Sequence, residues 1–305
     1  MALIGHGHLG KWHAQKISDS NFAELATIVE ANKDAHAELQ KTYPEANIVD
    51  SFENIGSDVQ GCVISTPTST HYKLSKDALE KGLHVFCEKP ICDSLEKAIN
   101  TKEALISQKK DLVFQVGHSE RVHACWEDAD LIKKMQKAKS IEISRVAPFK
   151  GRATDVSVIQ DLMIHDIDLL LYKFNFKVIN VRAVGKKVVS NQYDFVTVHL
   201  EGEDERIAQI TASRVDPKEK REIRFCHDSG VTSIDLMNRV ISSFENGKLQ
   251  DEVEYEKRDH LAIEQAHFYQ SIKDKNTNPI FCTIDEAINV QEVMEEIEEV
   301  LQGLE

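Results

Sequence analysis

Ala2-Leu3-Ile4-Gly5-His6-Gly7-His8-Leu9-Gly10 opens the chain with a short apolar run that ends on G-x-G-x-x-G. Helical spacing follows from about Lys11. A second apolar run, residues 25–29, ends on Glu30, twenty residues beyond Gly10. The spacing has a physical logic. The first glycine makes a tight turn, the second lets a backbone approach a pyrophosphate, and the third lets helix and strand pack closely. The helix N-terminus then offers free N–H groups and a positive dipole end to the phosphates. Gly5, His6, Gly7, His8, Leu9 and Gly10 are therefore expected to cradle a dinucleotide. An acid at Glu30 suits hydrogen bonds from the adenosine ribose hydroxyls and repels a 2′-phosphate, so NAD is expected over NADP. A glycine-rich turn without a ligand is the plainer reading. Strand, turn, helix and acid together argue against it.

Short apolar runs and helical stretches keep alternating downstream. Residues 34–42, 72–81 and 95–108 read as helices, and 61–65, 84–88 and 112–116 as strands. Such alternation means βαβ units and a parallel sheet. Cys62-Val63-Ile64 is apolar throughout, as a strand covered on both faces should be. Past Gly117 the pattern changes. Residues 126–137 read as a helix, 140–146 as a strand, and about 155–174 as a long helix. Strand-like segments then follow in series at 178–189, 195–200, 207–213, 222–226, 232–236 and 240–244. Phe195-Val196-Thr197-Val198-His199-Leu200 alternates in the manner of an antiparallel strand with one wet face. Helices at 261–274 and 284–301 close the chain. The expected fold class is α/β: a Rossmann doubly wound parallel sheet in residues 1–119, then an α+β domain with a mostly antiparallel open sheet in residues 120–305.

Composition narrows the function classes. The 305 residues are 41% hydrophobic and 29% charged, enough for two packed domains. A net charge of −14 without a basic face excludes an ordinary nucleic-acid binder. No apolar run is long enough for a membrane span and no signal-peptide pattern opens the sequence, so a cytoplasmic protein is expected. Six scattered cysteines with no C-x-x-C pair suit reduced thiols and no zinc site. Glu292, Glu295, Glu296, Glu298 and Glu299 interleave with Val293, Met294, Ile297, Val300 and Leu301, which reads as an amphipathic helix with a solvated acidic face.

Two further stretches carry chemistry. Ser65-Thr66-Pro67-Thr68-Ser69-Thr70-His71 follows the third strand, at the carboxyl edge where open α/β folds bind ligands. Ser65, Thr66, Pro67, Thr70 and His71 are candidates for the nicotinamide-ribose half, although helix capping by Ser69 or Thr70 is equally compatible. Cys87-Glu88-Lys89-Pro90 ends the next strand. Glu88 and Lys89 are expected beside the cofactor. Lys89 can also stabilise developing alkoxide charge on a substrate oxygen. Pro90 raises the chance of a cis bond. The third stretch is Asp161-Leu162-Met163-Ile164-His165-Asp166-Ile167-Asp168. On an α-helix, Asp161, His165 and Asp168 form one narrow polar stripe on an otherwise apolar surface. That stripe should face a cleft. A solvated surface stripe is the bland alternative. A metal site is a third reading, but no metal is expected because lysine stands where a further ligand is needed.

Together these motifs resemble the Gfo/Idh/MocA family of oxidoreductases. The carrying residues are Gly5-x-Gly7-x-x-Gly10, Glu88-Lys89-Pro90, and Asp161 with His165 in D-x-x-x-H. The resemblance covers nearly the whole chain. It implies a Rossmann domain, a substrate domain whose open sheet commonly mediates oligomerisation (a homodimer or homotetramer), NAD as cofactor, and a lysine–aspartate–histidine catalytic set. Lys89, Asp161 and His165 match that set. Val116-Gly117-His118-Ser119-Glu120-Arg121 and Arg145-x-x-Pro148-Phe149-x-Gly151-Arg152 are similar to the branch that contains UDP-N-acetylglucosamine 3-dehydrogenases, enzymes of a lipid A variant. Val122-His123-Ala124 departs from the Phe-Asn-Pro usual there. The implied substrate is a small molecule, a nucleotide sugar, with Arg121 and Arg152 as candidate phosphate contacts beside Lys89, Asp161 and His165. A surface ion pair is an equal alternative for each arginine. The rivals are a dehydrogenase of another sugar or of an inositol, and a non-catalytic NAD-binding sensor of the same fold.

Overall fold

The glycine turn joins β1 (Ala2–Ile4) to α1 (His8–Ser18). The chain continues through β2 (Thr27–Val29), α2 (His36–Thr42), β3 (Asn47–Val49), β4 (Gly61–Ile64), α3 (His71–Glu80), β5 (His84–Glu88), α4 (Leu95–Ile106) and β6 (Phe114–Gly117). In this computed structural model residues 1–108, 110–151, 154–276 and 281–303 are described. All pairs in the first sheet are parallel, in the order β3-β2-β1-β4-β5-β6, the doubly wound arrangement. The apolar strand sequences have a direct cause here, since both faces are covered. Leu3, Ile28, Val63 and Phe86 pack with Ala14 and Ile17 of α1. Ile4, Val29, Ile64 and Cys87 pack on the opposite face with Ala78 and Leu79 of α3.

The second compact unit holds α5 (Ala129–Met135), β7 (Ser140–Val146), α6 (Ile164–Lys173), β8 (Val178–Lys186), β9 (Phe195–Gly202), β10 (Ile207–Ser213), β11 (Lys220–His227), β12 (Gly230–Asp235), β13 (Val240–Glu245) and β14 (Lys248–Glu254). The sheet order is β14-β13-β12-β11-β7-β10-β9-β8, antiparallel except where β7 meets β10. Val196, Val198 and Leu200 of β9 are buried while His199 is exposed, so one face forms the core. The other face carries a row in register, Arg182, His199, Gln209, Glu142 and Arg224.

Several local expectations change. Strands β3 and β14 were not foreseen. Every residue of β14 is exposed, so its sequence has no apolar alternation to read. It is built by the Asn246-Gly247 turn, both residues at positive φ, which folds it back on β13. The helix expected over 126–137 shortens to α5, started by the Asp128 carboxylate accepting from the Leu131 N–H. The helix expected over 155–174 begins as a π turn at Ile159–Met163 and becomes α6 only at Ile164.

The largest difference concerns the chain's return. The first unit comprises Met1–Ser119 together with Asp259–Gln291, and the second Glu120–Arg258 with Glu292–Glu305. A single break at 119/120 misses α7 (His260–Lys273), which packs on the first sheet. Phe268 and Tyr269 join Leu3, Ile17 and Phe86 in one core, with the Phe86 and Phe268 rings edge-to-face at 5.8 Å. In α8 (Ile284–Gln302) Val293, Met294, Ile297 and Leu301 are buried while Glu292, Glu296 and Glu299 are exposed. Among the described residues no helix is long and apolar enough to cross a membrane. All six cysteines are free thiols.

Phe268 is fully buried and belongs to the core of the first unit, so Phe268→Ala should destabilise that unit by about 3–5 kcal/mol in urea denaturation. A loss below about 1 kcal/mol would show that α7 docks only loosely.

Candidate active site

The glycine turn leaves no room where it must be tight and leaves space where a ligand needs it. Gly5 sits at φ +88°, and a Cβ at Gly10 would lie 2.2 Å from the Gly5 carbonyl oxygen. A Cβ at Gly7 would meet nothing within 4 Å. Helix α1 has no side-chain cap and no acid in its first turn. Glu30 follows β2, and its carboxylate accepts hydrogen bonds from the backbone N–H of His6 (3.0 Å) and of Asn32 (2.8 Å). His6, Gly7, His8, Lys11, Glu30 and Tyr43 help line a cavity of about 710 Å³. The His6 ring stands edge-on to Tyr43 at 5.8 Å, and burial, reinforced by the Lys11 charge, lowers its pKa. An open cradle over Gly7, an uncapped helix end and an oriented acid are what a dinucleotide requires. The residues therefore fit NAD. Leu9 is exposed on α1 and does not line this cavity.

At the next strand end the Thr66 and Thr70 hydroxyls share a hydrogen bond of 2.7 Å, and Thr70 donates to the Pro67 carbonyl (2.8 Å). The Thr70 side chain does not cap α3, so the capping reading fails there. His71 is a correction. Its buried ring lies between two backbone carbonyls, Nδ1 2.7 Å from Pro90 O and Nε2 2.9 Å from Thr66 O. Both ring nitrogens face backbone carbonyls of the two loops, so the side chain is turned toward the protein and ties those loops together. Glu88 is a second correction. Its buried carboxylate meets His13 Nε2 at 2.8 Å and accepts from the Lys89 N–H at 3.3 Å. It therefore holds the loop from within. Lys89 follows on a partly exposed side chain, and the Lys89–Pro90 bond is cis.

In the second unit Asp161 lies in the π turn and His165 in the first turn of α6, both partly exposed. Asp168 is not their equal. It is fully buried and accepts from Arg121 Nε (2.9 Å) and Nη2, and the Arg121 guanidinium stacks 3.9 Å from the Tyr172 ring centre. The Arg121 side chain is 1% exposed, so it is corrected from a substrate contact to the counter-ion of Asp168. Asp166 is likewise paired. Arg145 Nε donates to both its oxygens (2.9 and 3.1 Å), and Arg145 Nη1 donates to Glu120 (2.9 Å). Burial alone would raise the Glu120 pKa. The Arg145 charge, the His123 hydrogen bond and the His165 charge hold it well below the usual range. Asp161 lines a narrow cleft of about 70 Å³ with Phe149, Lys150 and Arg221 among its other walls. Arg152 lies outside the described residues.

Glu120, Arg145 and Asp166 were not singled out as site residues by the sequence reading, nor were His13 and Gln265. Their signal is three-dimensional pairing, which spacing along a chain does not carry.

Comparison with known proteins agrees with this geometry. Residues 1–118 match the family described as an oxidoreductase family with an NAD-binding Rossmann fold. Residues 142–232 match the GFO/IDH/MocA C-terminal domain. A UDP-N-acetylglucosamine 3-dehydrogenase of Acidithiobacillus ferrooxidans is 33% identical over 296 residues, covering 92% of this chain and 90% of that protein. Its solved structure superposes with a TM-score of 0.89 at 30% identity, over 99% of this chain and 97% of that one. The scyllo-inositol dehydrogenase of Lactobacillus casei, solved with NAD(H) and scyllo-inositol, shares the fold at a TM-score of 0.83 and 19% identity, over 100% and 97% of the two chains. With an NAD-binding Rossmann domain and a family-specific C-terminal domain both matched, the chain belongs to the Gfo/Idh/MocA family of oxidoreductases.

Proposed function

We propose that this chain oxidises the 3-hydroxyl of UDP-N-acetylglucosamine to a ketone with NAD, for lipid A-type synthesis in the cytoplasm, working as a homodimer or homotetramer. The observation that carries the proposal is the relative of that activity, 33% identical over 92% of the chain. Lys89, Asp161 and His165, each partly exposed, give it a chemical basis.

Bound NAD supplies the hydride acceptor; the rest falls to the chain's own groups. His165 removes the proton of the substrate hydroxyl, a role imidazole suits near neutral pH. Lys89 donates a hydrogen bond to the same oxygen and stabilises the negative charge that grows on it. Asp161 orients and tunes the pair. The Arg121–Asp168 and Arg145–Asp166 ion pairs fix α6, and through it the direction of His165. Arg152 is the proposed diphosphate contact.

A second reading, a dehydrogenase of an inositol, is favoured by relatives such as the inositol 2-dehydrogenase of Rhizobium meliloti, 26% identical over 70% of this chain. Purified protein with NAD, UDP-N-acetylglucosamine and a ketone trap should form NADH. Lys89→Ala and His165→Ala should each lower the rate by about 100-fold or more, with NAD binding retained. NADH formed from an inositol and not from the nucleotide sugar would replace the first reading with the second. No turnover on either, with NAD bound, would leave the sensor. Glu30→Ala should narrow the preference for NAD over NADP, because the carboxylate that repels a 2′-phosphate is gone; unchanged selectivity would take Glu30 away from the ribose.

A further inference from the structure

Four buried side chains of the first unit form a single hydrogen-bonded line that ends at Lys89. Tyr269 Oη donates to Gln265 Oε1 (3.1 Å). Gln265 Nε2 faces His13 Nδ1 (2.7 Å), and His13 Nε2 faces Glu88 Oε1 (2.8 Å). The other Glu88 oxygen accepts from the backbone N–H of Lys89 (3.3 Å). Gln265 is 1% exposed, His13 0%, Glu88 7% and Tyr269 6%.

The partners give the line a direction. Burial pushes the Tyr269 phenol up, so its hydroxyl stays a donor. An amide that accepts from that hydroxyl through its oxygen turns its NH₂ toward His13. His13 Nδ1 must then be the lone-pair nitrogen, and Nε2 carries the proton. That N–H is the donor a buried carboxylate at Glu88 needs, since an unpaired buried charge is costly. Each contact in the line then joins one donor to one acceptor. Gly117 packs against the same carboxylate, where a Cβ would lie 2.9 Å from Oε1. Helix α7 is itself pinned, because Gln115 of β6 donates to the Glu264 carbonyl (3.2 Å).

On the reading of Lys89 as the group at the reacting oxygen, we propose that Gln265 and His13 are positioning residues for Lys89, acting through Glu88. The line also explains a feature of the topology. His13 lies on the helix that opens at the glycine turn, Glu88 ends β5, and Gln265 comes from α7. The returning segment therefore contributes to the catalytic loop as well as to the core.

The test uses the full chain with NAD bound and nitrogen-15-labelled histidine. Long-range proton–nitrogen spectra should show His13 as the Nε2–H tautomer, with Nδ1 unprotonated. Gln265→Leu, nearly isosteric, removes the Nδ1 donor. It should mix the tautomers of His13 and shift the backbone amide signal of Lys89. Gln265→Glu places an acceptor against Nδ1 and should produce an imidazolium. In turnover, Gln265→Leu should lower kcat by about tenfold with the NAD Kd changed less than about twofold, because a displaced catalytic group loses rate and not cofactor affinity. An Nδ1–H or doubly protonated His13 in the unaltered chain would overturn the proposal; the amide would then face the other way. So would a Lys89 amide signal, or a kcat, that Gln265→Leu leaves in place. The spectra decide without any turnover, so a wrong substrate and a wrong line give different results.

Discussion

The contact between Gly10 and the Gly5 carbonyl oxygen constrains everything in the first unit. Any side chain at Gly10 would collide with that oxygen. Only because it is absent can α1 start directly against the end of β1. The start of the helix then lies at the carboxyl edge of the sheet, where its first N–H groups are available to an anion. The same packing sends Ala14 and Ile17 into the core with Leu3 and Phe86, and puts His13 beside Glu88. A short strand, a cofactor cradle and a buried histidine thus share one steric cause.

In the second unit the organising force is electrostatic. Arg121 and Arg145 are buried, and each faces an acid of α6, Asp168 and Asp166. Buried ion pairs add little net stability, because desolvation offsets much of the attraction. What they supply is direction. A guanidinium held on both carboxylate oxygens tolerates little rotation of the helix that carries them. His165 lies in the first turn of the same helix.

How much of this was legible in the sequence depends on how local each interaction is. The nucleotide site was legible because its chemistry is local: three glycines and an acid at fixed spacing carry their own steric argument. Lys89, Asp161 and His165 stand out in the sequence as residue types, Lys89 just after a strand and the other two in an apolar stretch that becomes the π turn and α6. Arg121 was read equally as a substrate contact and as a surface ion pair, because sequence shows a charge and not its partner, and that partner, Asp168, stands 47 residues further along the chain. Glu88 and His71 were misread for the same reason, both spent on neighbours within the fold. Strand β14 has no apolar face, and α7 joins the first unit through Phe268 and Tyr269, whose spacing says that they are buried but not against what.

In the proposed reaction, hydride leaves the sugar carbon bearing the 3-hydroxyl while His165 and Lys89 manage the proton and charge on its oxygen. The most direct measurement uses UDP-N-acetylglucosamine deuterated at that carbon, incubated with the protein and NAD, with the reduced cofactor analysed by mass spectrometry. The reduced nicotinamide should carry the deuterium, and the label should slow turnover when hydride transfer limits the rate. Reduced cofactor without the label, or a nucleotide sugar recovered with its deuterium intact while NAD is consumed, would contradict it.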